Sequence, residues 1–206
     1  MMTKAVLIFG ALLVMGVGML VSGLWGPRAR ARKRLDRGQT VIQDGSVVTI
    51  TGVVRPVGEL LIAPLSGKPC VLYEATGRVF GKGGNPTVLV ADIGEARMTA
   101  FELETADGVV RVEGDRAETD IPTLVLFPRQ LDREQAFMVA HDQSPQYLRH
   151  SSFHEVRVEP GTKIRVQGMA IVELDASAPE GGYRDGARRV KLVAHEQHPL
   201  TIGRSR

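Results

Sequence analysis

The sequence predicts an N-terminal transmembrane α-helix followed by a mainly β domain, a small barrel or sandwich, with an OB-like barrel among its forms. Three observations lead there. Ala5 to Trp25 form one apolar run in which Ser22 is the sole polar side chain. A cluster of arginines follows it at once. From Gly38 onward, short stretches of alternating apolar and polar residues take over, punctuated by Pro, Gly and Asp-Gly signals. The expected organisation is an anchor with a short tail (1–26), a basic juxtamembrane linker (27–45), the β domain (46–200) and a terminal tail (201–206).

As a helix, residues 5–25 would reach about 32 Å at about 1.5 Å per residue, enough to cross a hydrocarbon core of about 30 Å. A cleaved leader fits less well. Its apolar core should be shorter, Val21-Ser22-Gly23 is a poor cleavage site, and arginines directly after it would resist export. Before the run lies only Lys4. After it stand Arg28, Arg30, Arg32, Lys33, Arg34 and Arg37 against one acid, Asp36. Basic residues close to a span favour the cytoplasmic side. The expected location is thus a membrane crossed once, N-terminus outside and body cytoplasmic, as in a bacterial inner membrane. The bilayer is the expected partner of residues 5–25 and of the basic collar 28–37. Gly18, Ser22 and Gly26 recur every four residues, a spacing that permits self-association of spans.

Charge is unevenly spread. Of 26 Lys/Arg and 23 Asp/Glu, seven and one fall in residues 1–37, leaving 19 and 22 in the body. The basic character belongs to the collar, so no cationic surface for nucleic acid is expected, and aromatics for base stacking are few at 5%. One cysteine, Cys70, allows neither an internal disulfide nor a cysteine-based zinc site.

In order along the body, Ser46–Arg55 alternates and stops at Pro56, and Leu60–Ile62 is a short apolar piece. Lys68–Phe80 is the longest strand candidate, with Val71, Tyr73 and Ala75 on one face and Cys70 and Leu72 on the other. The loop GKGGNP (81–86) leads to strands at Thr87–Asp92 and Arg97–Glu104. Asp107-Gly108 turns the chain into Val109–Glu113. Thr123–Phe127 reads as a strand. The spacing Asp132-Arg133-Glu134-Gln135 resembles a capping box opening a helix that runs to Ala140. In Glu155–Gly168, Pro160-Gly161 suits the centre of a type II turn between alternating segments. Ala170–Leu174 and Arg189–Ala194 complete the strands.

Chemistry-bearing motifs are sparse. His150 with His154, and His195 with His198, are spaced as pairs, but HEQHP is not HExxH, and beside strands such spacings do not converge on one face. Solvated or hydrogen-bonded histidines are expected, and no metal or cofactor. Cys70 inside an apolar strand reads as packing rather than as a nucleophile. Gly81–Gly84 lacks the spacing of a phosphate loop. No catalytic, cofactor-binding or metal-ligating residue is assigned. A hydrolase could still be assembled by the fold, most readily from a pocket uniting His150, His154 and Glu155. Loops 81–86 and 176–186 are the expected contact surface for an unknown protein partner.

Three patches resemble one family. GVVRPVGELLIAPLSGKPCVLY (Gly52–Tyr73), Phe101-Glu102-Leu103 with Gly108–Val112, and His154-Glu155 with Pro160-Gly161 and Val166-Gln167-Gly168 resemble the beside-a-membrane (BAM, or GIDE) domain, over roughly residues 47–175. The resemblance implies a membrane-associated β domain, as in mitochondrial membrane-bound E3 ubiquitin ligases and their prokaryotic relatives. Those ligases also carry a second span and a RING finger. Neither pattern is present in these residues, so the resemblance brings no catalytic residue with it.

Overall fold

The computed structural model describes residues 27–38, 41–83, 85–124, 128–174 and 188–205. The expected anchor at 1–26 and the loop at 176–186 lie outside them. Among the described residues, no helix is long and apolar enough to cross a membrane.

The body is mainly β and built around a five-stranded barrel. Its staves are β1 (Val47–Pro56), β6 (Phe101–Thr105), β7 (Gly108–Glu113), β10 (Lys163–Leu174) and β11 (Arg188–Val193). β1 pairs with β6 on one side and β10 on the other, β6 with β7, β7 in parallel with β11, and β11 with β10. The ring closes in the order β1-β6-β7-β11-β10-β1, which leaves no free edge among these strands. Period-2 alternation places Val48, Ile50 and Val54 of β1 inside, with Phe101, Leu103, Val110, Val112, Ile164, Val166 and Leu192 from the other staves. Gly52 sits where β1 passes from β10 to β6. A Cβ there would stand 2.7 Å from the Glu104 carbonyl oxygen, so only glycine permits the approach.

Two long excursions leave the ring. The first, between β1 and β6, contains β2 (Leu61–Ile62), β3 (Pro69–Cys70), β4 (Leu72–Gly83) and β5 (Asn85–Met98). The second, between β7 and β10, contains β8 (Glu118–Asp120), a helix over Leu131–Ala140, a 3-10 turn over Pro145–His150, and β9 (Ser152–Val158). The excursions meet in a three-stranded antiparallel sheet ordered β5-β4-β9. One face of that sheet covers a second core of Leu65, Cys70, Tyr73, Phe137, Met138 and Phe153.

Several expectations are corrected. The 27–45 linker begins as a helix, α1 (Pro27–Leu35), with proline at its first position and Arg32, Lys33 and Arg34 in its last turn, where cations favour the dipole. It is docked, because Ala31 and Leu35, four apart, are buried on one face against the barrel side. The segment 201–206, expected as a tail, holds β12 (Thr201–Arg204), with Thr201 and Ile202 buried. β12 lies on β10 at Ile164–Gln167, and β11 on β10 at Met169–Leu174, so the two run in line. Only the 194–200 detour hides their continuity. Lys68–Phe80 is not one strand. A bend at Val71 separates β3 from β4 and shifts the alternation by one residue, sending Cys70, Tyr73 and Ala75 to the second core and Val71 and Leu72 to the first.

Smaller differences follow the same logic. The 81–86 loop is largely strand, since β4 runs to Gly83 and β5 starts at Asn85. Arg97–Glu104 breaks at 99–100 into the end of β5 and β6. The turn after β6 is centred on Ala106-Asp107, one residue early. There the Thr105 hydroxyl accepts from the Asp107 N–H and donates to the Gly108 carbonyl. Of Thr123–Phe127, Leu124 makes an isolated bridge to Glu155 and 125–127 lie outside the described residues. The second helix, α2, starts at Leu131 with Gln130 as its cap and makes no side-chain capping bond, so Asp132 is not a capping residue. The type II turn is as expected: Gly161 has φ +81°, and the Thr162 N–H bonds the Glu159 carbonyl at 3.2 Å.

Candidate functional site

The three-stranded sheet has a second face, opposite the second core, and the alternation makes it polar. Thr76 and Arg78 of β4 stand opposite His154 and Ser152 of β9, and Arg78 opposite Asp92 of β5. α1 closes one side of this face. Its Arg28 guanidinium bonds the Thr123 hydroxyl. The result is a groove of about 610 Å³ lined by Arg28, Thr76, Arg78, Asp92, Thr123 and His154, with Ser152 beside them. Arg78 and Asp92 pair at 3.5 Å with both side chains well exposed. Such a pair contributes little to stability and leaves the guanidinium free to meet a ligand. Two guanidiniums, an imidazole and three hydroxyls against one carboxylate form a donor-rich pocket suited to an anionic oxygen group.

Groups behind the groove are structural. Glu155 follows His154 in sequence, so it points into the protein, where it is fully buried. Its carboxylate accepts the backbone N–H groups of Leu65 and Ser66, each at 3.0 Å, and an Arg157 N–H at 3.3 Å. Arg157 also bonds Glu159 at 2.6 Å. This clasp fastens the turn at Ala63–Gly67 to the sheet. A second buried acid, Glu134 on α2, is gripped by Arg129, which also donates to the Leu148 carbonyl and lies over the Phe153 ring. Glu155 is thus spent on tying the two excursions together, and Glu134 on tying α2 to the rest of the second one.

The alternative histidine groupings do not assemble. His154 lines the groove, His150 is exposed at the end of the 3-10 turn, and Glu155 faces the other way, so the three share no pocket. His195 and His198 face each other across a tight bridge, rings 6.1 Å apart and exposed, near a second cavity of about 490 Å³ lined by Asp115, Arg116, Glu118 and Glu196. Among the described residues, no three His, Cys, Asp or Glu side chains are grouped to hold a metal ion. Burial pushes the Cys70 thiol up to about 11, with Glu155 adding and Arg157 opposing, and Cys70 donates to the Leu61 carbonyl at 3.7 Å. That is a thiol held protonated, unlike a nucleophile's. Burial likewise pushes the Tyr73 hydroxyl up to about 12, with its bond to Glu95 adding to the rise.

Sequence reasoning placed Arg28 in a basic collar and His154 beside a strand, where the structure has it inside β9, and missed the groove they share with Thr76, Arg78 and Ser152. The signal was present as polar residues at alternate positions of β4 and β9. What it lacked was the pairing that sets Thr76 across from His154. No family model, curated protein or solved structure matches the chain.

Proposed function

We propose that this is a single-pass membrane protein whose β body is a non-enzymatic interaction or scaffolding module held at the cytoplasmic membrane surface. The observation that carries this reading is the continuity between anchor and body. The apolar run ends at Trp25, and the helix that docks on the barrel begins at Pro27. Only Gly26 stands between the apolar run and this helix, and Ala31 and Leu35 bury the helix on the body, so an anchor in residues 5–25 would hold the body close to the bilayer. We also propose kinship with the BAM (GIDE) domain. In its support, two distant patches of the resemblance meet physically: Leu65 and Ser66 of the first donate to Glu155 of the third. Ubiquitin transfer is not part of the proposal, because one cysteine and five histidines in these residues cannot furnish a RING finger's paired zinc sites.

Protease digestion of spheroplasts and of inverted vesicles, followed by alkaline extraction, tests the reading. The full chain should stay with the membrane, and the body should be cut only in inverted vesicles. Release by alkali, or cutting from the outer face, overturns it. Proximity labelling in intact cells would then identify the protein partner.

A further inference from the structure

We propose that the free end of the β4–β5 hairpin is a second membrane contact, its apolar residues seated at the headgroup–acyl boundary and anionic lipid headgroups held in the Arg28/Arg78 groove at its base. This deepens the membrane-anchor reading and rests on it. Three geometric observations lead here.

First, α1 followed toward its N-terminus and β4 followed toward the hairpin tip run in the same direction. Near the C-terminal end of α1, Arg34 meets Glu118 at 3.3 Å, and the adjacent Thr119 hydroxyl donates to Glu74 at 2.8 Å. Near its N-terminal end, Arg28 stands in the groove with Thr76 and Arg78. Six helical residues rise about 9 Å, comparable with the few strand residues from Glu74 onward at about 3.3 Å each. Passing from Leu35 back to Pro27 thus parallels passing up β4 from Glu74 to Arg78, which puts Pro27 on the hairpin's side of the body.

Second, the hairpin carries exposed apolar side chains just below its tip. β9 makes its last pair at Arg78 with Ser152, and beyond it β4 and β5 continue as a two-stranded ribbon. On this ribbon Val88, Leu89 and Val90 are 54%, 48% and 49% exposed. Neighbours in a strand face opposite ways, and Val90 is the extra residue of a bulge, so no single protein face covers all three. A two-stranded ribbon is marginal in water, and three adjacent exposed aliphatics on it mark a contact surface.

Third, the layers match those of a leaflet. Trp25 is three residues from Arg28, at most about 11 Å of extended chain, so the groove lies close to the lipid surface. The aliphatic triplet pairs with β4 two to three residues beyond Arg78, about 7–10 Å further toward the anchor's side. Interfacial apolar segments sit about 5–10 Å into the headgroup–acyl boundary. With the triplet at that depth, Arg28 and Arg78 stand at phosphate level, where their guanidiniums can pair with headgroup oxygens.

The test uses the full chain reconstituted in vesicles. A single polarity-sensitive fluorophore is placed by Leu89→Cys or Val88→Cys, and for comparison by Val109→Cys on the barrel; the buried Cys70 stays in place. Lipids spin-labelled near the carbonyl should quench the hairpin probes at least about twofold more than the barrel probe, with a blue-shifted emission. Adding phosphatidylglycerol to phosphatidylcholine should deepen the quenching, and Arg78→Gln should remove that increment. Equal quenching at 89 and 109 in a chain that resists alkaline extraction overturns the inference alone. Loss of the chain to alkali overturns the anchor reading with it. A blue shift without lipid quenching would mean that protein, residues 5–25 or a second copy, covers the ribbon, and also overturns it. Quenching indifferent to phosphatidylglycerol removes the headgroup site.

Discussion

Replacing Glu155 probes the clasp that fastens the Ala63–Gly67 turn to the three-stranded sheet. The carboxylate takes two backbone N–H groups at 3.0 Å and a guanidinium N–H at 3.3 Å, with no exposure to water. Glu155→Ala removes all three partners at once and leaves the Leu65 N–H buried without an acceptor, at a cost of about 1–3 kcal/mol. Breaking a buried ion pair from one side costs about 3–5 kcal/mol. These two contributions overlap, so the variant should lose about 3–5 kcal/mol in all. For a chain of this size about 2–4 °C of Tm accompanies each kcal/mol, giving a drop of about 6–20 °C. Glu155→Gln keeps an amide oxygen for the two N–H groups but loses the charge attraction, and should fall between. Thermal unfolding of the detergent-solubilised full chain, followed by far-UV circular dichroism, measures both. Asp115→Ala, at a fully solvated pair with Arg116, serves as the control and should not move Tm. A Glu155→Ala variant within about 1 kcal/mol of the parent would show that the clasp is incidental.

Three further outcomes follow from the packing. Cys70 should resist alkylation at pH 8 in the folded chain and react on denaturation. Its thiol is raised from 9.0 to about 11, so the unfolded chain releases the proton first and stability falls as pH rises from about 9 to 11, by about 2–3 kcal/mol. Cys70→Ala should flatten that alkaline decline as read from urea midpoints, and an unchanged slope would count against the buried thiol as its source. Ile202→Ala should cost about 2–5 kcal/mol, because β12 closes the side of the barrel rather than trailing from it; a loss below about 0.5 kcal/mol in urea unfolding would return residues 201–206 to a dispensable tail. Leu35→Asp should undock α1 and expose Arg28–Arg37 to trypsin; unchanged cleavage of that stretch would refute the docked helix.

Local character was legible from the residues alone: the apolar run at 5–25, the alternation that places Val48, Ile50 and Val54 inside, the helix near Asp132–Ala140, and the type II turn at Pro160-Gly161. Each depends on neighbours only a few positions away. Period-2 alternation names a face, yet it is silent about which strand lies alongside and about any slip in phase. The bend at Val71 is such a slip, and it reassigns Cys70 and Tyr73 to a different core. Ring closure through the β7–β11 parallel pair, the resumption of β11 as β12, and the meeting of Leu65 with Glu155 across 90 residues all depend on contacts distant in sequence. The groove is the plainest case. Arg28, Arg78 and His154 are ordinary polar residues of a collar and two strands, and only the docking of α1 on β8 and β12, together with the pairing of β4 and β9, brings their charges and hydroxyls to one surface, because strand pairing and helix docking are settled by the whole core and not by any one segment.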